Sequence, residues 1–392
     1  MRNLKLSLVA SLAIGMCTVT NASSLEEALT SGKVNAEFTV TYETRKMDNE
    51  LTKWNNYYSD TSYAVGSFAL GYKTGIWNGL SLTSKFRAYT TLTEGGKGET
   101  HYKGTGDSAE RFWETGDNDD VDFESLFIEY GDENLSVKAG RQALNTIWLN
   151  KTHDALNVNY KLDDTNIEMI WTRRMGRVTA RDYRPLSASD GVFLNKVDPS
   201  KGVYKVGLTH DLGEVELKGF YLTAPDDREL FGGQVAYDNG VFGASGQYTA
   251  YEPEDSTAED GSHTELKAFY RIGGYTTTLA HLITEDTFKH FGMGTTNAME
   301  EGDQIYTHDA KTTYIKINKK FNDVSATLIS GITDYDAGTS NDYSQMETTL
   351  WLGYPLSKNL KGNLGYTYVD ADNEDEDETD VNQLNLTLVY SF

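Results

Sequence analysis

Leu384-Asn385-Leu386-Thr387-Leu388-Val389-Tyr390-Ser391-Phe392 closes the chain, and its large apolar residues recur at every second position. Side chains alternate between the two faces of an extended strand. Leu384, Leu386, Leu388, Tyr390 and Phe392 therefore share one face, while Gln383, Asn385, Thr387, Val389 and Ser391 share the other. One face suits hydrocarbon and the other suits water. Near the opposite end, Val34, Ala36, Phe38, Val40 and Tyr42 alternate in the same way with Asn35, Glu37, Thr39, Thr41 and Glu43. The pattern returns around 64–73, 80–92, 123–130, 204–210, 266–272, 346–355 and 361–370.

The links between these segments carry a second signal. Turn-like stretches fall at Gly75–Gly79, Gly131–Asn134, Leu162–Thr165, Asp211–Glu214, Asp238–Gly240, Gly273–Gly274, Asn322–Asp323 and Leu356–Asn359, with a longer, more polar link expected between consecutive members. Short and long links in alternation are what an up-and-down barrel produces. The pattern predicts eighteen strands, starting near 34, 63, 80, 122, 135, 155, 165, 202, 215, 229, 241, 263, 275, 311, 324, 345, 360 and 381. The segments near 155 and 275 are the least sharply marked, so sixteen strands also fit.

The composition agrees with β structure: 36 Gly and 25 Tyr against only 5 Pro. A mean hydropathy of −0.53 would ordinarily mark a water-soluble chain, but a barrel turns only alternate residues to lipid and keeps the average low. Residues 1–22 read as a cleaved secretory signal: Arg2 and Lys5, the apolar run Leu6–Met16, then Thr20-Asn21-Ala22. Cys17 suggests a lipid anchor, but Met16 before it is too bulky for such a site. Removing Arg2 and Lys5 moves the formal charge from −24 to −26 and takes away the only cysteine, so the mature chain, 23–392, cannot rely on disulfides.

A soluble sandwich or a repetitive fibre would also alternate. Three features favour a transmembrane antiparallel up-and-down β-barrel: a very polar, glycine-rich second face, aromatics gathered near strand ends, and the terminal Phe392. Backbone groups in lipid need partners, so an open edge is not permitted and the strands must close.

The Leu384–Phe392 stretch resembles the assembly signal of outer-membrane barrels. More specifically, Ser24-Leu25-Glu26-Glu27-Ala28-Leu29 followed by Gly32-Lys33-Val34 is similar to the opening of OprD-type porins and of the major outer membrane porins of epsilonproteobacteria. Leu135-Ser136-Val137-Lys138-Ala139-Gly140-Arg141-Gln142 resembles their strand leading into a pore-constricting third loop. The resemblance implies eighteen strands, often a homotrimer, in a bacterial outer membrane. It implies passive diffusion of ions and small polar solutes, with a ladder of basic wall residues that guides carboxylates. Residues 143–153 depart from the family pattern in having no proline.

With the apolar set turned to lipid, the expected pore-lining residues are Lys85, Arg87, Glu129, Lys138, Arg141, Lys161, Arg174, Lys205, Lys218, Lys267, Arg271 and Lys316, joined by Glu37, Glu216 and Glu347. Lys85, Arg87, Lys138 and Arg141 are expected to form one side of an eyelet facing the inward-folded loop 143–153. Strict alternation from Ala139 would turn Arg141 outward unless the strand bulges. Arg173, Arg174, Arg177, Arg181 and Arg184 are expected in the fourth outer loop, as an anion-guiding patch or a contact to lipopolysaccharide phosphate.

Acidic runs at 107–122, 252–260 and 370–380 read as solvated loop tips that would concentrate cations at the mouth. They suit Ca²⁺ as a ligand type but match no defined calcium loop, so no cofactor is expected and calcium stays an open alternative. Both termini would face the periplasm. Seven histidines are scattered without metal spacing, and no nucleophile elbow or phosphate loop is present. His153 with Asp154 is the one pair worth inspecting for catalysis. There is no basic excess for nucleic acid. The competing class is a surface-binding protein, an adhesin that uses the barrel only as an anchor.

Overall fold

The computed structural model describes residues 21–47, 61–95, 119–187, 201–291, 299–300, 303–336, 342–372 and 380–392. Among them are a short helix, α1 (Leu25–Thr30), and nineteen strands. The first nine are β1 (Lys33–Met47), β2 (Thr61–Lys73), β3 (Leu80–Gly95), β4 (Asp119–Gly131), β5 (Leu135–Thr146), β6 (Leu149–Leu162), β7 (Thr165–Val178), β8 (Tyr183–Ser187) and β9 (Val203–Asp211). Then follow β10 (Val215–Ala224), β11 (Arg228–Asp238), β12 (Phe242–Pro253), β13 (Gly261–Ile272) and β14 (Tyr275–Thr284). The last five are β15 (Lys311–Phe321), β16 (Val324–Asp336), β17 (Asp342–Pro355), β18 (Leu360–Ala371) and β19 (Val381–Ser391).

Each strand pairs antiparallel with the next in sequence, except that β8 pairs only with β7, which pairs directly with β9. β1 pairs with β19 from Glu37↔Ser391 to Met47↔Val381, so the other eighteen strands close into a ring. Ala36 and Phe392 complete the seam by exchanging two backbone hydrogen bonds of 3.0 Å.

The two faces of the closing strand are opposite in character. Leu384 and Leu386 are each 38 % exposed, whereas Gln383 and Asn385 are 1 % and 2 % exposed. Elsewhere, Thr39, Thr41, Gln247, Thr249, Thr349 and Thr367 are buried while Phe38, Val40, Tyr248, Leu266 and Leu350 are exposed. A water-soluble fold would reverse these sets. A wall with hydrocarbon outside and a polar interior requires them.

The eight turns anticipated from sequence all lie on one rim, and both weakly marked strands are present. The other rim does not keep to long links. Residues 147–148 alone join β5 to β6, and 225–227 join β10 to β11. The stretch 143–153, expected as a loop, instead continues the ladder, with Ala143↔Thr152, Asn145↔Asn150 and Thr146↔Leu149. Lacking proline and glycine, it has nothing to interrupt strand pairing. The arginine cluster is also split. Arg173, Arg174 and Arg177 are on β7, Arg181 is on the following link and Arg184 is on β8. The link 254–260 is exposed throughout and includes a turn in which Asp255 Oδ1 accepts the Thr257 N–H at 2.9 Å.

Ser24 caps α1 by accepting the Glu27 N–H at 3.1 Å, and the Gly75 N–H donates to Ala28 O at 2.9 Å, fixing the helix against the β2–β3 turn. Of the expected leader only Asn21 and Ala22 are described; the Ala22 N–H donates to Ile76 O at 2.8 Å.

Candidate functional site

Three segments leave the wall and enter the barrel from the same rim. The first is the tip of the β5–β6 hairpin. Pairing of β5 with β4 ends at Leu126↔Arg141, next to Gly140, whose φ is +126°. A Cβ there would stand 2.3 Å from Leu126 O, so only glycine permits the two strands to part at this point. Beyond it, Trp148 is fully buried and donates from Nε1 to Thr249 Oγ1 of β12 at 3.0 Å. Leu144, Trp148 and Leu149 pack in one cluster with Val203, Phe220, Leu222, Leu230 and Tyr251 from β9 to β12, far along the ring.

The second segment is the arm 179–187. Tyr89 of β3 donates from its hydroxyl to Thr179 O at 2.8 Å and lies 4.8 Å from the Tyr183 ring. Tyr63, Val65, Tyr89, Val178 and Tyr183 form the cluster that seats it. The third is made of the described parts of the link after β14, residues 285–291, 299–300 and 303–310. Its Phe288, His290 and Tyr306 rings lie 5.4, 6.1 and 5.8 Å from Trp148, and His263 of β13 completes the group at 5.5 Å. Burial, with Arg228 nearby, pushes the His290 imidazole down to about 4. The Arg181–Glu300 ion pair ties the arm to this link.

The inner wall is charged and largely self-compensated. Glu124 is the extra residue of a bulge in β4, where Lys85 pairs with Ser125 and Phe86 with Phe123. The bulge brings Glu124 between two cations, 2.7 Å from Lys85 Nζ and 3.1 Å from Arg87 Nη2. Arg87, fully buried, also reaches Glu37 at 2.6 Å and Ser67 Oγ at 2.9 Å. Lys73 and Lys138 flank Glu129 at 3.4 and 3.5 Å. Lys205 meets Glu168 at 2.8 Å, and Lys218 meets Glu216 at 3.0 Å. Lys267 pairs with Glu265, and Arg271 with Asp238 at 2.7 Å. Lys161 and Lys316 have no carboxylate within 4.0 Å among the described residues. Lys161 is exposed beside the β6–β7 turn, and Lys316 shares the inward parity of Thr312 and Tyr314.

Two residues differ from expectation. Arg141 is the last residue of β5 paired with β4, opposite Leu126, at the point where the two strands part. Its side chain is only 16 % exposed and bridges Asp122, which stands opposite the buried Arg87, and Asp154 at 2.9 Å. Arg174 lies on the outer face, 4.0 Å from Asp154 and 58 % exposed. A bulge at Arg173, where Asp154 pairs with Arg174 and Ala155 with Thr172, turns Arg174 away from the face of the buried Thr172. His153 and Asp154 are separated by alternation along β6. His153 is buried inward, 3.0 Å from Thr172 Oγ1 and 2.7 Å from Asn150 O, while Asp154 faces Arg141.

Sequence reasoning passed over the carboxylates Glu124, Glu168 and Glu265 and the rings of Trp148 and Trp351. The acids share the parity of the basic residues they meet, apart from the bulged Glu124, and pairing across strands could have found them. Trp148 stands out only as an aromatic between Ile147 and Leu149 in a stretch that read as a polar link. Among the described residues no group of three or more His, Cys, Asp or Glu is placed to hold a metal ion. Most of the acidic runs 107–122 and 370–380 lies outside the described residues.

Residues 1–161 of the 392 match the model of the Campylobacter major outer membrane protein family, a stretch that contains both motifs on which the sequence resemblance rested. The fold is similar to that of Acinetobacter baumannii OccAB3, with 13% identity and a TM-score of 0.74 over 93% of this chain and 100% of that one. It is similar to Pseudomonas aeruginosa OpdQ, with 12% identity and a TM-score of 0.71 over 94% and 99%. The Pseudomonas aeruginosa outer membrane protein OpdK gives 12% identity and a TM-score of 0.70 over 93% and 99%. No curated protein matches in sequence. Both positive comparisons agree with the resemblance to OprD-type and epsilonproteobacterial outer-membrane porins.

Proposed function

We propose that the chain is an outer-membrane porin, a water-filled channel for passive diffusion of ions and small polar solutes. The observation that carries this reading is a closed barrel with a polar inner wall, crossed by three segments that meet around Trp148 and Arg181. Segments converging from distant parts of the ring would leave a narrow passage, in which fixed charges select among solutes. The basic wall at Lys85, Arg87 and Lys138 would form one side of that passage.

The same reading places the turn-bearing rim and both termini in the periplasm and residues 1–22 in a cleaved signal. It carries no catalytic step. A homotrimer would set a neighbouring protomer against the outward pair of Arg174 and Asp154, which lie 4.0 Å apart. Above the apolar band the exposed arginines would meet lipopolysaccharide phosphate.

Planar-bilayer recording of the purified chain tests the channel. Discrete conductance steps are expected. Well-folded protein that inserts and gives no steps would favour the barrel-anchored adhesin instead.

A further inference from the structure

The link after β7 carries Arg181 across the interior to acids from three separate elements. Arg181 Nη2 lies 3.4 Å from Glu43 Oε2 of β1 and pairs with Glu300 of the link 285–310. The Glu300 N–H donates to Glu347 Oε1 of β17 at 2.6 Å, which brings the third carboxylate to the same place. Glu43 is also fixed by Asn385, which donates from Nδ2 at 2.7 Å, and Glu347 by Thr349, whose hydroxyl donates at 2.9 Å.

An aromatic face completes the arrangement. The Arg181 guanidinium sits 4.8 Å from the centroid of the Trp351 ring. Trp351 lies against the wall because Gly365 of β18 has no side chain; a Cβ there would stand 2.4 Å from the indole. Desolvated carboxylates beside an indole face recognise guanidinium and ammonium groups, through charge and through the negative face of the ring. The acids are not grouped tightly enough to hold a metal ion. The seat is therefore sized for an organic cation, and the protein's own side chain occupies it.

The backbone beneath Arg181 is held by other contacts. Thr179 Oγ1 accepts the Asp182 N–H at 3.0 Å, Arg177 pairs with Asp182, and Tyr89 donates to Thr179 O. The head group can thus be changed without releasing the arm.

From this arrangement, and on the channel reading above, we infer that Arg181 is a tethered counter-ion that sets the ion preference of the passage. A solute bearing a guanidinium or ammonium group takes the same seat once Arg181 is removed from it. Arg181 moderates the field of Glu43, Glu300 and Glu347, so its loss makes the passage more negative by one charge and raises selectivity for cations.

Reversal potentials under a potassium chloride gradient, measured on full-length protein in planar bilayers, test the inference. Arg181→Gln is expected to raise the cation-to-anion permeability ratio about threefold or more, Arg181→Lys to stay near the wild-type value, and Arg174→Gln on the outer face to leave it unchanged. Guanidinium chloride is expected to block Arg181→Gln channels at roughly tenfold lower concentration than wild type, and the added Trp351→Ala change to abolish that gain. An unchanged ratio in Arg181→Gln, an equal shift in Arg174→Gln, or equal guanidinium block in both channels overturns the assignment of Arg181. Well-folded wild-type protein without conductance steps overturns the channel reading as well.

Discussion

His290 shows how one side chain can couple the interior to pH. It is packed between Tyr306, 4.7 Å away, and Trp148, with Arg228 Nη1 donating to its backbone carbonyl at 3.0 Å. Its folded value of about 4 lies below the ordinary imidazole range. A depressed histidine favours the packed form above about pH 6.5, and that contribution is lost as pH falls towards 4, on the order of 2–3 kcal/mol in all. Channel current noise should therefore grow between these limits, as the packing of His290 and Tyr306 on Trp148 loosens. His290→Phe should show a weaker response over the same range. An equal response in that variant would assign the effect elsewhere.

At the scale of the element, the β5–β6 hairpin depends on a glycine and an anchor. Gly140→Ala places a Cβ against Leu126 O at a positive φ, so the hairpin cannot turn inward without strain of roughly 1–3 kcal/mol. Trp148→Ala empties a fully buried site, at roughly 3–5 kcal/mol of local packing. Because Trp148 packs inside the ring rather than in its wall, the loss should appear as larger, noisier conductance. The heat needed to unfold the barrel, read by electrophoretic mobility, should barely change. A large drop in that temperature would mean the hairpin supports the wall itself. This element also marks the limit of what residues alone disclose. The motif Leu135–Gln142 identified the strand. The inward course of 143–153 could be anticipated from resemblance, but its continuation as paired strand could not. Nor could its docking against Thr249, about a hundred positions away, because no local pattern encodes which wall a tip will meet.

For the whole molecule, alternation was sufficient to read most of the architecture. A period of two is enforced at nearly every strand by hydrocarbon on one side and water on the other, and Leu384 and Gln383 show both sides of that constraint. The interior was less legible, since the partners of its charges come from neighbouring strands and bulges, as with Glu124 between Lys85 and Arg87. Adjacent residues on β13 make the asymmetry testable. Lys267 is accommodated inside against Glu265, whereas Leu266 is 52 % exposed on the outer face. Leu266→Lys should cost roughly 2–4 kcal/mol in a lipid bilayer, measured by urea unfolding in vesicles. A negligible loss would place Leu266 away from hydrocarbon.

Three segments on the rim opposite the turns lie folded into the barrel and lean on one another through Trp148 and Arg181. The short stretch 255–259 stands apart, exposed and closed by its own Asp255 turn. It is the natural place to graft a foreign peptide. A tag inserted after Ser256 would be displayed at the barrel rim while the conduit beneath it kept its wild-type current.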